Sequence, residues 1–204
     1  MTDQSKYKTL DKRSEGSYKE KGSKFIGIAQ ACYSENEAKK VLEKWHKEHH
    51  QAGHLCYAYR FGVNKELYRS NDDGEPNNSA GPPILGQITA FDLTNVLVGV
   101  VRYYGGTNLG VGGLINAYRT AAKEAFLNGE IVEHELFHWV KILFEYPDMP
   151  TVMNILKKNN LKMIDNKFEL SCELVTNFPL RITDSLEAEL KALKSVEIES
   201  KGIY

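Results

Sequence analysis

A run of apolar, largely β-branched residues, Val96-Leu97-Val98-Gly99-Val100-Val101, leads without a break into Arg102-Tyr103-Tyr104-Gly105-Gly106-Thr107-Asn108-Leu109-Gly110-Val111-Gly112-Gly113, and a helical pattern follows from Leu114 to Leu127. A buried strand that empties into a glycine-dense turn and re-emerges as a helix exposes backbone N–H groups at a helix N-terminus, where the dipole favours an anion. The spacing excludes two nucleotide loops. Gly105 and Gly110 are spaced as in a Walker loop, but Val111 and Gly112 stand where its lysine and hydroxyl belong. A dinucleotide fingerprint read from Gly110 meets Ile115 at its third glycine. Two readings remain: glycines that only permit a tight turn and close helix-to-strand packing, or a turn that holds an anion or a backbone. Arg102 favours the second, because a guanidinium ending an apolar strand needs a partner and an oxyanion is a natural one.

The chain has 204 residues, of which 42% are hydrophobic and 26% charged, the balance of a soluble globular protein with room for two domains. No apolar run approaches the roughly 20 residues that span a bilayer, and Met1–Lys6 lacks the apolar core of a secretory signal. The expectation is a cytoplasmic protein with no membrane partner. Its three cysteines, Cys32, Cys56 and Cys172, sit far apart in apolar contexts and read as reduced core residues. The net charge of −1 carries no basic field, and only the first 24 residues, with Lys19, Lys21 and Lys24 beside Phe25, form a weakly basic edge that reads as solvated surface.

Lys24 to Tyr33 reads as a strand, and Ser34 before Glu35 and Glu37 starts a helix that runs to about His49. Leu55–Phe61 and Glu66–Ser70 flank Gly62-Val63-Asn64-Lys65 as a hairpin. A polar loop, Asn71 to Gly81, precedes Pro82-Pro83, which open a short helix with Ile84, Leu85, Ile88 and Phe91 on one face. Residues 1–130 thus form one domain of order β-α-β-β-α-β-α. From Ile131 the pattern predicts a strand to about Glu145, a helix over 150–160, a hairpin around Asp165-Asn166-Lys167, a helix over 179–193 and a strand near 196–199. That β-α-β-β-α-β order marks a second domain, 131–204, as a ferredoxin-like split motif. The fold class is α+β.

His134-Glu135-Leu136-Phe137-His138 spells the zinc-protease motif, but the motif needs a helix. Two histidines four apart lie about 6 Å apart along a helix axis and about 13 Å apart along a strand, and Val132, Phe137, Trp139, Val140, Ile142 and Phe144 favour a strand. His46, His49, His50 and His54 read as a polar helix end. No metal or cofactor is expected. Asp72, Asp73, Gly74 and Glu75 read either as turn chemistry or as a polar site.

Asp72-Asp73-Gly74-Glu75-Pro76, Ala80-Gly81-Pro82-Pro83-Ile84-Leu85, and Val100 to Gly106 continuing through Leu109-Gly110-Val111-Gly112-Gly113-Leu114 closely resemble the signature of the IMPACT/YigZ family, with Lys21-x-Ser23-x-Phe25-Ile26 similar to its N-terminal strand. The resemblance implies an N-terminal domain like domain 2 of ribosomal protein S5 and domain IV of the translocation elongation factor G, and a C-terminal domain akin to its domain V. Asn77-Asn78-Ser79 departs from the family's glycine at that point, and Asn116 stands where a basic residue is common. Eukaryotic relatives look like translational regulators that act through an extra N-terminal domain, for which this chain has no room, so that role is not carried over.

The resulting expectation is a non-enzymatic, RNA- or ribosome-associated protein. Arg102, Arg119 and Lys24 are expected to meet phosphate, Tyr103 or Tyr104 to stack, and Gly105, Gly106, Asn108, Gly110, Gly112 and Gly113 to face the backbone. A second expectation is an enzyme on a small phosphorylated or carboxylated substrate with Asp73, Gly74 and Glu75 as its polar site. A third is a protein-interaction module.

Overall fold

The computed structural model describes residues 5–204. Two compact units, Tyr7–His134 and Glu135–Tyr204 with Ser5 and Lys6, make up a mixed α and β architecture.

The larger unit runs β1 (Lys6–Leu10), β2 (Ser14–Glu20), β3 (Ser23–Ala31), α1 (Glu35–Glu48), β4 (His54–Phe61), β5 (Leu67–Asn71), α2 (Gly81–Ala90), β6 (Val96–Tyr103), α3 (Gly110–Leu127) and β7 (Ile131–Glu135). A five-stranded antiparallel sheet has the order β2-β3-β6-β4-β5, and β1 pairs separately with β7. The run at 96–101 is apolar without alternation because β6 is the central strand and is buried on both faces. Val96, Val98 and Val100 join Ile84 and Ile88 of α2 and Leu114, Ala117, Tyr118 and Ala121 of α3 in one core. Leu97 and Val101 join Ala38 and Trp45 of α1 in the other.

The helix starts follow local chemistry. The Ser34 side chain accepts the Glu37 N–H at 3.2 Å to open α1. At the far end of α2, the Arg60 guanidinium donates to the carbonyl oxygens of Ile88 and Leu93. The backbone of α3 lies directly on β2 and β3. A Cβ on Gly27 would stand 2.1 Å from the Ala121 carbonyl oxygen, and one on Gly16 would stand 2.3 Å from the Ala125 nitrogen.

The smaller unit runs β8 (Phe137–Glu145), α4 (Met149–Lys158), β9 (Asp165–Phe168), β10 (Ser171–Pro179), α5 (Thr183–Lys191) and β11 (Glu197–Ile203), with the antiparallel order β11-β8-β10-β9. Period-two alternation sends Val140, Ile142 and Phe144 of β8 and Cys172, Leu174 and Phe178 of β10 inward. There they meet Val152, Ile155 and Leu156 of α4 and Leu186 and Leu190 of α5.

Four elements differ from the sequence reading. Residues 6–20, for which the sequence reading gave no element, form β1 and β2, with Ser14 and Gly16 turned inward between exposed Glu15 and Ser17, while Lys19, Lys21 and Lys24 are exposed as expected. α3 begins at Gly110, four residues before Leu114, so Gly110, Gly112 and Gly113 belong to its first turn. The segment expected as one strand over 131–145 is two, broken at Leu136. Asp165-Asn166-Lys167 lies within β9, and the chain reverses at Glu169-Leu170 instead. No described helix is long and apolar enough to cross a membrane.

Gly27→Ala is expected to lower stability by about 3 kcal/mol, since the α3 backbone must move to admit the methyl group. Gly86→Ala, where a Cβ would meet nothing within 4 Å, is expected to raise it by about 0.5–1 kcal/mol. Urea midpoints of the two variants check this pair of opposite signs.

Candidate functional site

The chemistry collects at the end of the sheet where β6 finishes. There Arg102 pairs in register with Phe25 of β3 and His54 of β4, while Tyr103 pairs with Lys24. Alternation sends Arg102 toward α3 and Tyr103 to the α1 face, so two residues expected to act together point to opposite sides of the sheet.

Arg102 finds its partner inside the protein. Its side chain is 8% exposed, and Nη1 donates to Oε1 of Glu75, itself 3% exposed, at 2.6 Å. The same carboxylate oxygen accepts the Tyr118 hydroxyl of α3 at 2.7 Å. The guanidinium carbon lies 5.6 Å from the centroid of Phe25 and 5.3 Å from that of Tyr104, and Tyr118 meets Phe25 edge-on. Arg102 Nε has no hydrogen-bond partner among the described residues. The partner of Arg102 is therefore Glu75 of the same chain, whose carboxylate is buried between Arg102 and Tyr118.

The other acids of the loop are also engaged. The Asp72 carboxylate accepts the N–H groups of Asn78, Ala80 and Gly81 at 2.9, 2.9 and 2.8 Å, which secures the start of α2 although no side chain caps it from Ala80. Asp73, at φ 44°, accepts the Leu55 N–H on its carboxylate at 2.7 Å, and its carbonyl faces His54 Nδ1 at 2.6 Å. Gly74, at φ 82°, follows against the His54 ring. The loop is thus turn chemistry that delivers Glu75 to Arg102. Sequence reasoning missed Tyr118, and it read Cys56 as a reduced core residue, which it is, without its place beside the loop. Both sit on buried faces, Cys56 with its thiol toward the Asp72 carbonyl; a tyrosine on the apolar face of α3, needing a hydroxyl partner, was the available signal. Burial pushes the Cys56 thiol and the Tyr118 hydroxyl upward, and neighbouring acidic groups add to both shifts. Burial also raises the Cys32 thiol to about 11.

The glycine turn is open. Tyr104 through Asn108 are exposed, as are Gly110, Val111 and Gly112, and no side chain caps α3 from Leu109. Gly106 and Gly110 have φ of 83° and 72°, which favours glycine. Gly105 lies against the β2–β3 turn, where its N–H donates to Ser23 Oγ at 3.1 Å and a Cβ would collide with Gly22; Gly113 packs on Leu109. Gly112 answers to neither demand, since it is helical and a Cβ there would meet nothing within 4 Å. The Tyr104 hydroxyl reaches Asn108 at 3.3 Å. Arg119 is exposed on α3, seven residues and about 10 Å of helix beyond Gly112 on the same face. Lys24 is exposed beside Tyr103, whose hydroxyl meets His49 Nδ1 at 2.9 Å.

His134 and His138 lie on strands. The first stacks on Tyr7 and the second bonds Ser200 Oγ. All three cysteines are buried and free. Among the described residues no cluster of three or more histidine, cysteine or acidic side chains has the geometry of a metal site.

Glu75→Ala leaves a buried guanidinium without its counter-charge and is expected to cost about 3–5 kcal/mol; Tyr118→Phe is expected to cost about 1 kcal/mol. Raised thiol and phenol pKa values also fix the alkaline limb. Their stabilisation is complete below the unfolded cysteine value of about 8.5 and is lost above it, because the unfolded chain releases protons that the native state retains. The urea midpoint is expected to hold from pH 6 to 8 and fall by pH 10, and to fall less in Cys56→Ala.

A family model described as the Impact N-terminal domain matches residues 21–126. An IMPACT family member in the pol 5' region of Thermus thermophilus is 42% identical over 142 residues, covering 69% of this chain and 75% of that protein. The IMPACT family member YvyE of Bacillus subtilis (strain 168) is 32% identical over 154 residues, covering 76% and 71%. A crystal structure of a hypothetical protein, 24% identical, shares the fold, with a TM-score of 0.71 over 97% of this chain and 98% of the other. With that match to the signature-bearing half of the sequence, the chain belongs to the IMPACT family.

Proposed function

We propose that this chain is a non-enzymatic, RNA- or ribosome-associated protein of the cytoplasm that serves translation or a stress response, and that the glycine turn ahead of α3 holds the phosphate backbone. In this reading Arg119 and Lys24 supply charge, Tyr103 and Tyr104 supply ring faces, and Arg102 positions Tyr104 without touching the ligand. The observation that carries it is Gly112. A glycine in the first turn of a helix, with neither a positive φ nor a neighbour to avoid, costs helix stability and keeps the surface clear for close approach from outside. Amides at an uncapped helix start suit an anion, and near-neutral net charge suits a bound backbone better than a bulk electrostatic film.

The domain likenesses belong to the same proposal. The larger unit is taken as similar to domain 2 of ribosomal protein S5 and domain IV of elongation factor G, and the smaller as ferredoxin-like, akin to domain V. The β-α-β-β-α-β order and the strand order β11-β8-β10-β9 support the second assignment.

The test is fluorescence anisotropy with a labelled single-stranded RNA across a salt series. Arg119→Ala is expected to weaken binding and reduce the salt slope by about 1. Gly112→Ala is expected to stabilise the fold by about 0.5 kcal/mol while weakening RNA binding, two changes that a merely structural glycine would not show together. Absence of RNA binding by the unaltered chain at low salt would sink the proposal.

A further inference from the structure

On the α1 face of the five-stranded sheet, two adjoining hollows of about 380 and 420 Å³ share Leu42, Glu43 and Tyr57. Together they form a groove between α1 and the strands β4 and β5. Its floor is aromatic. The rings of Tyr57 and Tyr59 lie near-parallel at 15° with centroids 6.4 Å apart, and Phe61 continues the row 4.4 Å beyond Tyr59. Tyr59 is fixed in place by Glu35, to which its hydroxyl donates; burial first, then that carboxylate, push the hydroxyl to about 12, so it stays a neutral donor. Tyr57 is half-buried and its hydroxyl makes no hydrogen bond within the protein among the described contacts.

The polar groups around this floor divide into two kinds. Glu35 is committed to Tyr59 and Asp73 to the Leu55 N–H. Lys39, His46 and Lys47 on the α1 rim, by contrast, enter no ion pair or hydrogen bond among the described residues, and neither does Glu43. An aromatic floor under the two unpaired lysines, Lys39 and Lys47, fits a planar base that brings a phosphate with it, and a free carboxylate beside the floor is an acceptor for an exocyclic amino group.

One hollow of the groove is lined by His46, Leu55 and Asp73, and Leu55 lies in register with Val101 near the end of β6. There the Gly53 N–H donates to the Arg102 carbonyl at 3.0 Å, and His49, the C-cap of α1, meets Tyr103. On the same face Lys19, Lys24 and Tyr103 occupy one cross-strand row of β2, β3 and β6. A row of two lysines and a tyrosine thus leads across the sheet toward the groove, with the glycine turn, whose Gly105 lies against Gly22 and Ser23, beside the row.

From this arrangement we infer that the α1–β4 groove receives an unstacked base of single-stranded RNA, seated on Tyr57, while the adjoining backbone follows Lys24 and Tyr103 to the glycine turn. The inference rests on the RNA reading above and specifies its substrate as single-stranded and preferring amino-bearing bases. Duplex RNA, whose bases are stacked and paired, cannot place one in the groove.

The probe is a labelled octamer of adenylate, with a uridylate octamer and a duplex of the same length for comparison. Tyr57→Ala is expected to weaken adenylate binding about tenfold with no change in salt slope, since stacking rather than phosphate contact is lost; Tyr57→Phe is expected to retain it. Adenylate is expected to bind more tightly than uridylate, and the duplex more weakly than both. Ultraviolet cross-linking of the unaltered chain, which depends on no variant's folding, is expected to place the adduct on Tyr57 or residues 39–47. Equal affinity of Tyr57→Ala and the unaltered chain, with Arg119→Ala still weakened, overturns the groove inference and leaves the RNA reading standing, as do adducts confined to residues 104–119. An octamer that binds no form of the chain overturns both, and tight binding of free adenosine monophosphate with none of the octamer reassigns the groove to a small nucleotide.

Discussion

The buried ion pair between Arg102 and Glu75 ties together three parts of the chain that are distant in sequence. Glu75 comes from the loop between β5 and α2, Arg102 from the end of the central strand, and Tyr118, on the same carboxylate oxygen, from α3. Two charges so deeply buried are tolerable only with close geometry and further hydrogen bonds, and the surrounding chain supplies these. Asp72 fixes the loop by three backbone bonds, Asp73 fastens it to β4, and the rings of Phe25 and Tyr104 lie against the guanidinium. Moving any one of these elements would uncover a charge. The sheet end therefore behaves as a rigid frame on which the glycine turn is carried.

That frame explains what the residues of the signature do as a set. Read along the chain, Asp72, Asp73 and Glu75 allowed either turn chemistry or a polar site, and in the fold each carboxylate accepts a bond that shapes the loop. Arg102 suggested a phosphate ligand and is instead a counter-ion to Glu75. The frame leaves exposed the stretch from Tyr104 to Asn108, Gly110 to Gly112, the ring of Tyr104 held over the guanidinium, and the polar face of α3 from Gly112 through Asn116 to Arg119.

The long periodic elements were legible from the residues. Ser34 with Glu37 marked the start of α1, Pro82-Pro83 marked α2, and the unbroken apolar run marked β6 as buried on both faces. The misses have physical causes. β1 and β2 carry so many lysines and glutamates that alternation is hidden, and only their pairing across the fold, with β7 and β3, reveals which residues turn inward. Leu136 breaks the strand at 131–145 although its neighbours are strand formers, because its N–H donates to the Ser5 carbonyl oxygen and its own carbonyl oxygen accepts the Leu180 N–H. In the site, a pairing across 27 residues such as Arg102 with Glu75 has no local signal; electroneutrality of a buried guanidinium required some carboxylate but did not say which. Nor could a one-dimensional reading separate Arg102 from Tyr103. Consecutive residues on a strand serve opposite faces, and once β6 is known to be central, one neighbour must go to the α3 core and the other to the α1 surface.

That separation gives the sheet end two surfaces with different physics. On the α3 side the display is backbone and one guanidinium, which recognise charge and shape without regard to sequence. On the α1 side the display is aromatic, with lysines spaced along a cross-strand row and a carboxylate at the groove, the groups that the proposal above sets against a base. A ligand that engages only the first would be held by phosphate contacts and released by salt, as the chain's net charge of −1 provides no reserve of attraction. A ligand that reaches around the end of β6 to the second adds stacking, which salt screens little. The glycine turn runs from the end of β6 into α3, and Gly106, Gly110 and Gly112 leave its backbone bare between the exposed side chains of Tyr104, Asn108 and Val111.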